Sequence, residues 1–160
     1  MNDDFDMIGM SDYNNEIIKE HTDDEENKIF EEQKKEEEQK ELAEKKRIFE
    51  EQTKELKEEA AKGDLPSMIK LYEMYKHYAY TLTSLEGKSD VYMEGLQWLE
   101  KAAEAGSEEA QYQLSIHYRG GGILDDTEDD ALAEEWLVRA ADSGYQPARD
   151  ELWEIYENNQ

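Results

Sequence analysis

Residues 125 to 130 read Asp-Asp-Thr-Glu-Asp-Asp, and five carboxylates in so short a run are the oxygen donors that hard cations take. The run lacks the glycine at the sixth position and the glutamate at the twelfth that an EF-hand loop needs. A helix start is expected just beyond it, where exposed amides and the helix dipole favour acids, so solvation and capping account for Asp125 to Asp130 without a metal. Gly120, Gly121 and Gly122 are followed by Ile-Leu-Asp-Asp rather than the Lys-Ser/Thr of a phosphate loop, and they read as turn glycines. His21, His77 and His117 are far apart and fit no paired-ligand spacing; His117, between Ile116 and Tyr118, is expected to line a groove or to pack. No Gly-x-Ser-x-Gly elbow is present. The residues thus assign no catalytic group, metal or cofactor, and no enzyme is expected.

The elements around these residues repeat. From Gly63, Gly106 and Gly144, a small residue follows four later (Ser67, Ala110, Ala148), a leucine eight later (Leu71, Leu114, Leu152) and a tyrosine twelve later (Tyr75, Tyr118, Tyr156). Four-residue intervals place the three on one face of a helix, where the small residue admits a neighbouring helix and the larger two fill the groove. Ahead of the later glycines stand Trp98-Leu99 with Ala102-Ala103 and Trp136-Leu137 with Ala140-Ala141, with Leu56 and Ala60 as a weaker match upstream. This second pattern is an amphipathic helix that ends on a left-handed glycine cap. We refer to the two as helix A and helix B. The glycines are 43 and 38 residues apart, a period that belongs to helical-hairpin solenoids, in which each hairpin buries its apolar face against the next.

The run Ala110-Gln111-Tyr112-Gln113-Leu114 to Tyr118, the glycine-rich loop to Ile123, and Ala133, Trp136 to Ala141 and Gly144 together resemble the Sel-one-like repeat, a relative of the tetratricopeptide repeat. The resemblance covers roughly residues 56 to 157. It departs from the family in its packed loop glycines, in the acids before Ala131 and in a first copy with five additional residues between Tyr75 and Trp98. It implies an all-α, α/α superhelix of about two to three hairpins, with half-hairpins at both ends, acting as adaptor or scaffold. In tetratricopeptide-like arrays helix A lines the binding surface. The register ten residues past each glycine then yields Glu73, Ile116 and Glu154, and thirteen past yields Lys76, Arg119 and Glu157, as partner-binding candidates. Tyr72, Tyr78 and Tyr80 add aromatic weight to the first helix A.

Three segments are expected: an unstructured acidic leader over 1–24, a long charged helix over 25–62 and the repeat domain over 63–160. Residues 25 to 62 contain no Gly or Pro and carry Glu/Lys pairs such as Glu31 with Lys35 and Glu41 with Lys45. Leu42, Phe49 and Leu56 keep a seven-residue period, but the companion seam of Glu38, Lys45 and Gln52 is polar, so a monomer is expected. Ile48, Phe49 and Leu56 should instead cap the first repeat as its preceding helix B. Trp98, Trp136 and Trp153 are expected to support the repeat core.

Net charge is −25, of which residues 1 to 62 carry −11 and residues 63 to 160 carry −14. Nucleic acid and anionic membrane need cationic side chains, so neither is an expected partner. A basic protein or peptide would be steered in; the same acidity also keeps a chain soluble. There is no cysteine, hence no disulfide framework. No basic n-region or sustained apolar run opens the sequence, so neither a secretory signal nor a membrane span is expected, and the cytoplasm is the expected compartment. Two functions fit: a binding module for a basic partner, including an acidic immunity or antitoxin-type inhibitor, or an adaptor whose N-terminal helix and solenoid hold two different proteins.

Overall fold

A computed structural model describes the backbone of residues 7–121 and 129–158, and the side chains of 25–84, 87–120 and 129–157. Six α-helices lie among them: α1 (Met7–Ala61), α2 (Leu65–Thr81), α3 (Leu85–Glu104), α4 (Glu108–Ile116), α5 (Asp130–Ser143) and α6 (Gln146–Asn158). A π-helical turn, His117–Gly121, follows α4. The chain forms two compact units, one up to Arg47 and one from Ile48 onward, and the boundary falls inside α1.

In the first unit α1 begins at Met7, inside the segment expected to be an unstructured leader. Once a helix is nucleated each added residue brings a hydrogen bond at little further cost, so good helix formers downstream carry the helix backward. As far as Arg47 its described side chains are exposed, Ile29, Phe30 and Leu42 included. Ion pairs run along the surface, among them Glu36–Lys40 at 2.8 Å, Glu41–Lys45 at 2.7 Å and Glu44–Arg47 at 2.7 Å. Pairs this exposed contribute little to stability.

The second unit is the solenoid. Helices α2, α4 and α6 are helices A; the end of α1, α3 and α5 are helices B. Each B-to-A junction closes with the same two bonds. Gly63, Gly106 and Gly144 donate to the carbonyls of Ala60, Ala103 and Ala141, and the residues after them donate to Glu59, Ala102 and Ala140. That is the Schellman pattern, and the φ values of 96°, 95° and 109° explain why glycine recurs there. Helix starts are capped by side chains: Asp64 accepts from the Ser67 amide at 2.9 Å, Ser107 from Ala110 at 3.3 Å and Asp129 from Leu132 at 3.0 Å. Asp129 and Asp130 therefore serve a helix start as expected, whereas Asp125 to Glu128 lie outside the described residues.

The +4 and +8 positions of the first two copies are sealed in the core, with Leu71, Ala110 and Leu114 fully buried and Ser67 buried. Ala148 is buried too, but Leu152 is only half-buried. The contact between α2 and α3 is tight at Gly95, where a Cβ would stand 2.5 Å from Tyr75 Cβ. Phe49, at the end of α1, stacks on Tyr78 with ring centroids 4.4 Å apart and meets Tyr75 edge-on at 4.9 Å. Leu56 packs partly against the same core. The α1 end thus caps the array, without Ile48, which is 41% exposed. The helices of the first copy are longer, by more than its five additional residues: α2 and α3 have 17 and 20 residues, against 9 and 14 for α4 and α5.

Two aromatic expectations fail at the far end. Trp98 and Trp136 are half-buried against the core, each with a cation over its ring, Lys101 at 4.4 Å and Arg139 at 4.7 Å. Trp153 is 65% exposed and Tyr156 is 61% exposed. Burial at these register positions needs a helix on the far side of helix A, and among the described residues none follows α6.

Candidate functional site

The six candidate residues are distributed along the three helices A and the π-turn. Glu73, on α2, is exposed. One turn later Lys76 is half-buried, with its Nζ 5.4 Å from the centroid of the Tyr72 ring. Ile116 closes α4 and is 41% exposed, so it is presented to solvent rather than consumed by packing between repeats. Arg119, on the π-turn, is ion-paired with Glu151 of α6. Glu154 and Glu157 are exposed on α6. Arg119 is therefore partly neutralised by a neighbouring repeat, while Glu73, Glu154 and Glu157 are exposed acids.

A groove of about 660 Å³ opens at the N-terminal ends of helices A, and of the six candidates only Glu73 lines it. Half-buried Leu65, Ile69 and Tyr145, together with Pro66, supply its apolar surface. Exposed Lys70, Glu73, Glu108 and Glu109 supply its charges. These residues escaped the sequence reading because it looked for a surface two turns along each helix A. The signal lay nearer the glycines, in the apolar Leu65-Pro66 after Asp64, the acidic pair after Ser107 and the tyrosine that replaces a capping residue after Gly144.

The polar interior of the array is structural. Gln111 donates to the Ala103 carbonyl at 3.1 Å and accepts from the Ser143 hydroxyl at 3.3 Å. At the same register in the next copy, Arg149 donates to the Ala141 carbonyl at 2.9 Å. Each adds a second donor to a helix-end carbonyl that the Gly106 or Gly144 amide already reaches. His117 is buried, its Nδ1 2.8 Å from the Tyr92 hydroxyl, which in turn lies 3.4 Å from the Tyr72 hydroxyl. His117 Nε2 meets no hydrogen-bond partner among the described residues. Burial holds the His117 pKa below its ordinary value. Of the two roles expected for this histidine the structure assigns packing. Burial likewise raises Glu100, against the smaller effect of the Tyr118 hydroxyl that donates to it at 3.4 Å.

A stack of antiparallel helix pairs joined by Schellman turns is an α/α solenoid. Residues 83–107 and 108–145 match the Sel1 repeat family, as the resemblance implied. The second match spans a whole hairpin, α4 with α5, while the first covers helix B of the preceding copy. Searches of curated proteins and of solved structures find no match to the chain. Sel1 repeats generally mediate protein–protein interaction. No described helix is long and apolar enough to cross a membrane.

Proposed function

We propose that the repeat domain, residues 63–160 capped by the end of α1, binds a basic protein or peptide along its helix-A face. One observation supports this reading: Glu73, Ile116, Glu154 and Glu157 are all exposed at repeating register on successive helices A, as an acidic face with an apolar residue on its middle helix requires. A concrete version is an immunity or antitoxin-type protein that covers the nucleic-acid site of a cationic toxin. In this reading the chain acts in the cytoplasm as a monomer, without nucleic acid or membrane as ligand and without catalysis. Exposed charges interact over about 8–10 Å at physiological ionic strength, so acidic steering governs association more than dissociation. The test is surface-immobilised kinetics over a salt series, with the partner captured from the native host. Lysine at Glu73 and Glu154 should slow association, and Ile116→Ala should speed dissociation. Association unchanged by both reversals and flat in salt would leave the acidity as a solubility device.

The adaptor reading has its own support in the exposed Ile29 and Phe30 of the first unit, which offer a second, separate surface. Deleting residues 1–47 would abolish one of two captured proteins under that reading and leave capture unchanged under the first.

A further inference from the structure

The groove at the N-terminal ends of helices A has a more specific occupant than the face as a whole. Its volume of about 660 Å³ is of the size that takes a small ligand or a few side chains of a peptide. Glu73, Glu108 and Glu109 outweigh Lys70, leaving the lining at net −2. The starts of α2, α4 and α6 lie beside it, and each helix N-terminus brings about half a positive charge, roughly one and a half together, which does not reverse that sign. Their amides are also engaged in part, since Asp64 and Ser107 already cap them. An anion is therefore disfavoured, and a cation favoured.

The apolar part of the lining selects among cations. Tyr145 is braced by Tyr112, ring centroids 5.2 Å apart, and stays half-buried at the groove. Glu108 and Glu109 line the groove together with Tyr145 and, after burial itself, raise its pKa. An aromatic ring with two carboxylates suits a planar guanidinium, which stacks on one and binds the other in a bidentate manner, better than a compact, strongly hydrated ammonium.

We propose that this groove receives an arginine side chain of a basic peptide, the guanidinium at Glu108 and Glu109 against the Tyr145 ring and the aliphatic stem on Pro66 and Ile69. The inference rests on the reading that the helix-A face binds a basic partner, and it relocates the anchor to the N-terminal ends of those helices.

The test uses the full chain, isotopically labelled for NMR, and three probes: a short leucine–arginine peptide, its lysine version and its citrulline version, which keeps the shape and loses the charge. Arginine should bind about tenfold more tightly than citrulline, as expected for loss of charge-assisted hydrogen bonds, with lysine between them. Shifts should concentrate at Leu65 to Glu73, Gly106 to Glu109 and Tyr145. The double substitution Glu108→Gln with Glu109→Gln should abolish the arginine preference, and Tyr145→Leu should reduce it. Glu154→Gln with Glu157→Gln should preserve it, and unchanged melting curves would verify that these exposed positions leave the fold intact. Equal binding of citrulline overturns the arginine anchor. Salt-dependent binding with shifts at Ile116, Glu154 and Glu157 instead overturns the groove while sustaining the wider reading; binding of none of the three overturns both.

Discussion

Leu71 and Tyr75 on α2 are 0% and 4% exposed, while at the same register of α6 Leu152 is half-buried and Tyr156 is 61% exposed. The two helices carry the same small-Leu-Tyr motif, yet they differ in what packs on them. Tyr75 is enclosed from one side by Phe49 at the end of α1 and from the other by α3, whose Gly95 leaves room for its Cβ. The cluster that receives α6 comes from one side, from Leu137, Ala140 and Ala141 of α5 with Tyr112 of α4, and among the described residues no helix covers the other side. A solenoid motif thus specifies which face is apolar, and the neighbouring repeats decide how much of it is buried.

Truncation measures that difference directly. Leu71→Ala should destabilise by roughly 2–5 kcal/mol, because a sealed cavity cannot collapse. The same change at Leu152 should fall well below that range. Tyr156→Ala should stay within about 0.5 kcal/mol, as surface substitutions do. Urea unfolding of the three variants checks the order; equal losses at Leu71 and Leu152 would break the comparison and mean that α6 is covered in solution.

A second effect, smaller, sharpens the same contrast at the α2–α3 contact. An alanine at Gly95 brings its methyl against Tyr75 Cβ and within 3.4 Å of the Tyr72 carbonyl, atoms fixed to the α2 backbone. The helix propensity gain of about 1 kcal/mol over glycine works the other way, but forced overpacking costs roughly 1–3 kcal/mol, and a net loss is expected. A raised melting temperature for Gly95→Ala would show that the helices separate freely. Helix starts come next in size. Asp64→Ala removes the bond to the Ser67 amide and should destabilise by about 1 kcal/mol, whereas Tyr145, the matching residue before α6, has no capping oxygen to lose. Tyr145→Ala should therefore perturb the Tyr112 contact rather than the helix start, which amide exchange in the first turn of α6 distinguishes.

The hairpins, their glycine caps and the sealed positions of the first two copies were legible because they follow from local periodicity and from the left-handed conformation that glycine adopts readily. Phe49 packs on Tyr75 and Tyr78, whereas Ile48, about 100° round the helix from it, stays 41% exposed. The exposure of Trp153 and Tyr156 was illegible for another reason: it depends on a neighbouring helix rather than on the residues themselves. Of the candidate site, Glu73 alone also lines the groove. Tyr145 joins that groove through the turn before α6, and Arg119 reaches Glu151 from another repeat; both are tertiary contacts with no sequence period.

His117 offers the finest probe of how tightly the middle of the array is sealed. It lies where α4 gives way to the π-turn, packed against Tyr92 of α3 and its own neighbour Tyr118, with centroids 5.6 Å and 5.0 Å apart. Burial lowers its folded pKa below the unfolded value of about 6.5, so its contribution to stability is fully present above that pH and is lost as pH falls through the folded value. Glu100 has the opposite sign: its raised folded pKa gives a contribution that is complete below the unfolded carboxylate value and is lost as pH rises through the folded one. The two overlap in a pH scan of the unsubstituted protein, but His117→Asn removes only the first, since asparagine keeps a polar group near Nδ1 and does not titrate. Stability measured by urea from slightly alkaline to mildly acid pH should therefore decline more for the parent than for His117→Asn below about pH 6.5, and the gap between them should be constant above it. Parallel curves throughout would mean that water reaches Nε2 and that the seal between α3 and the π-turn is open.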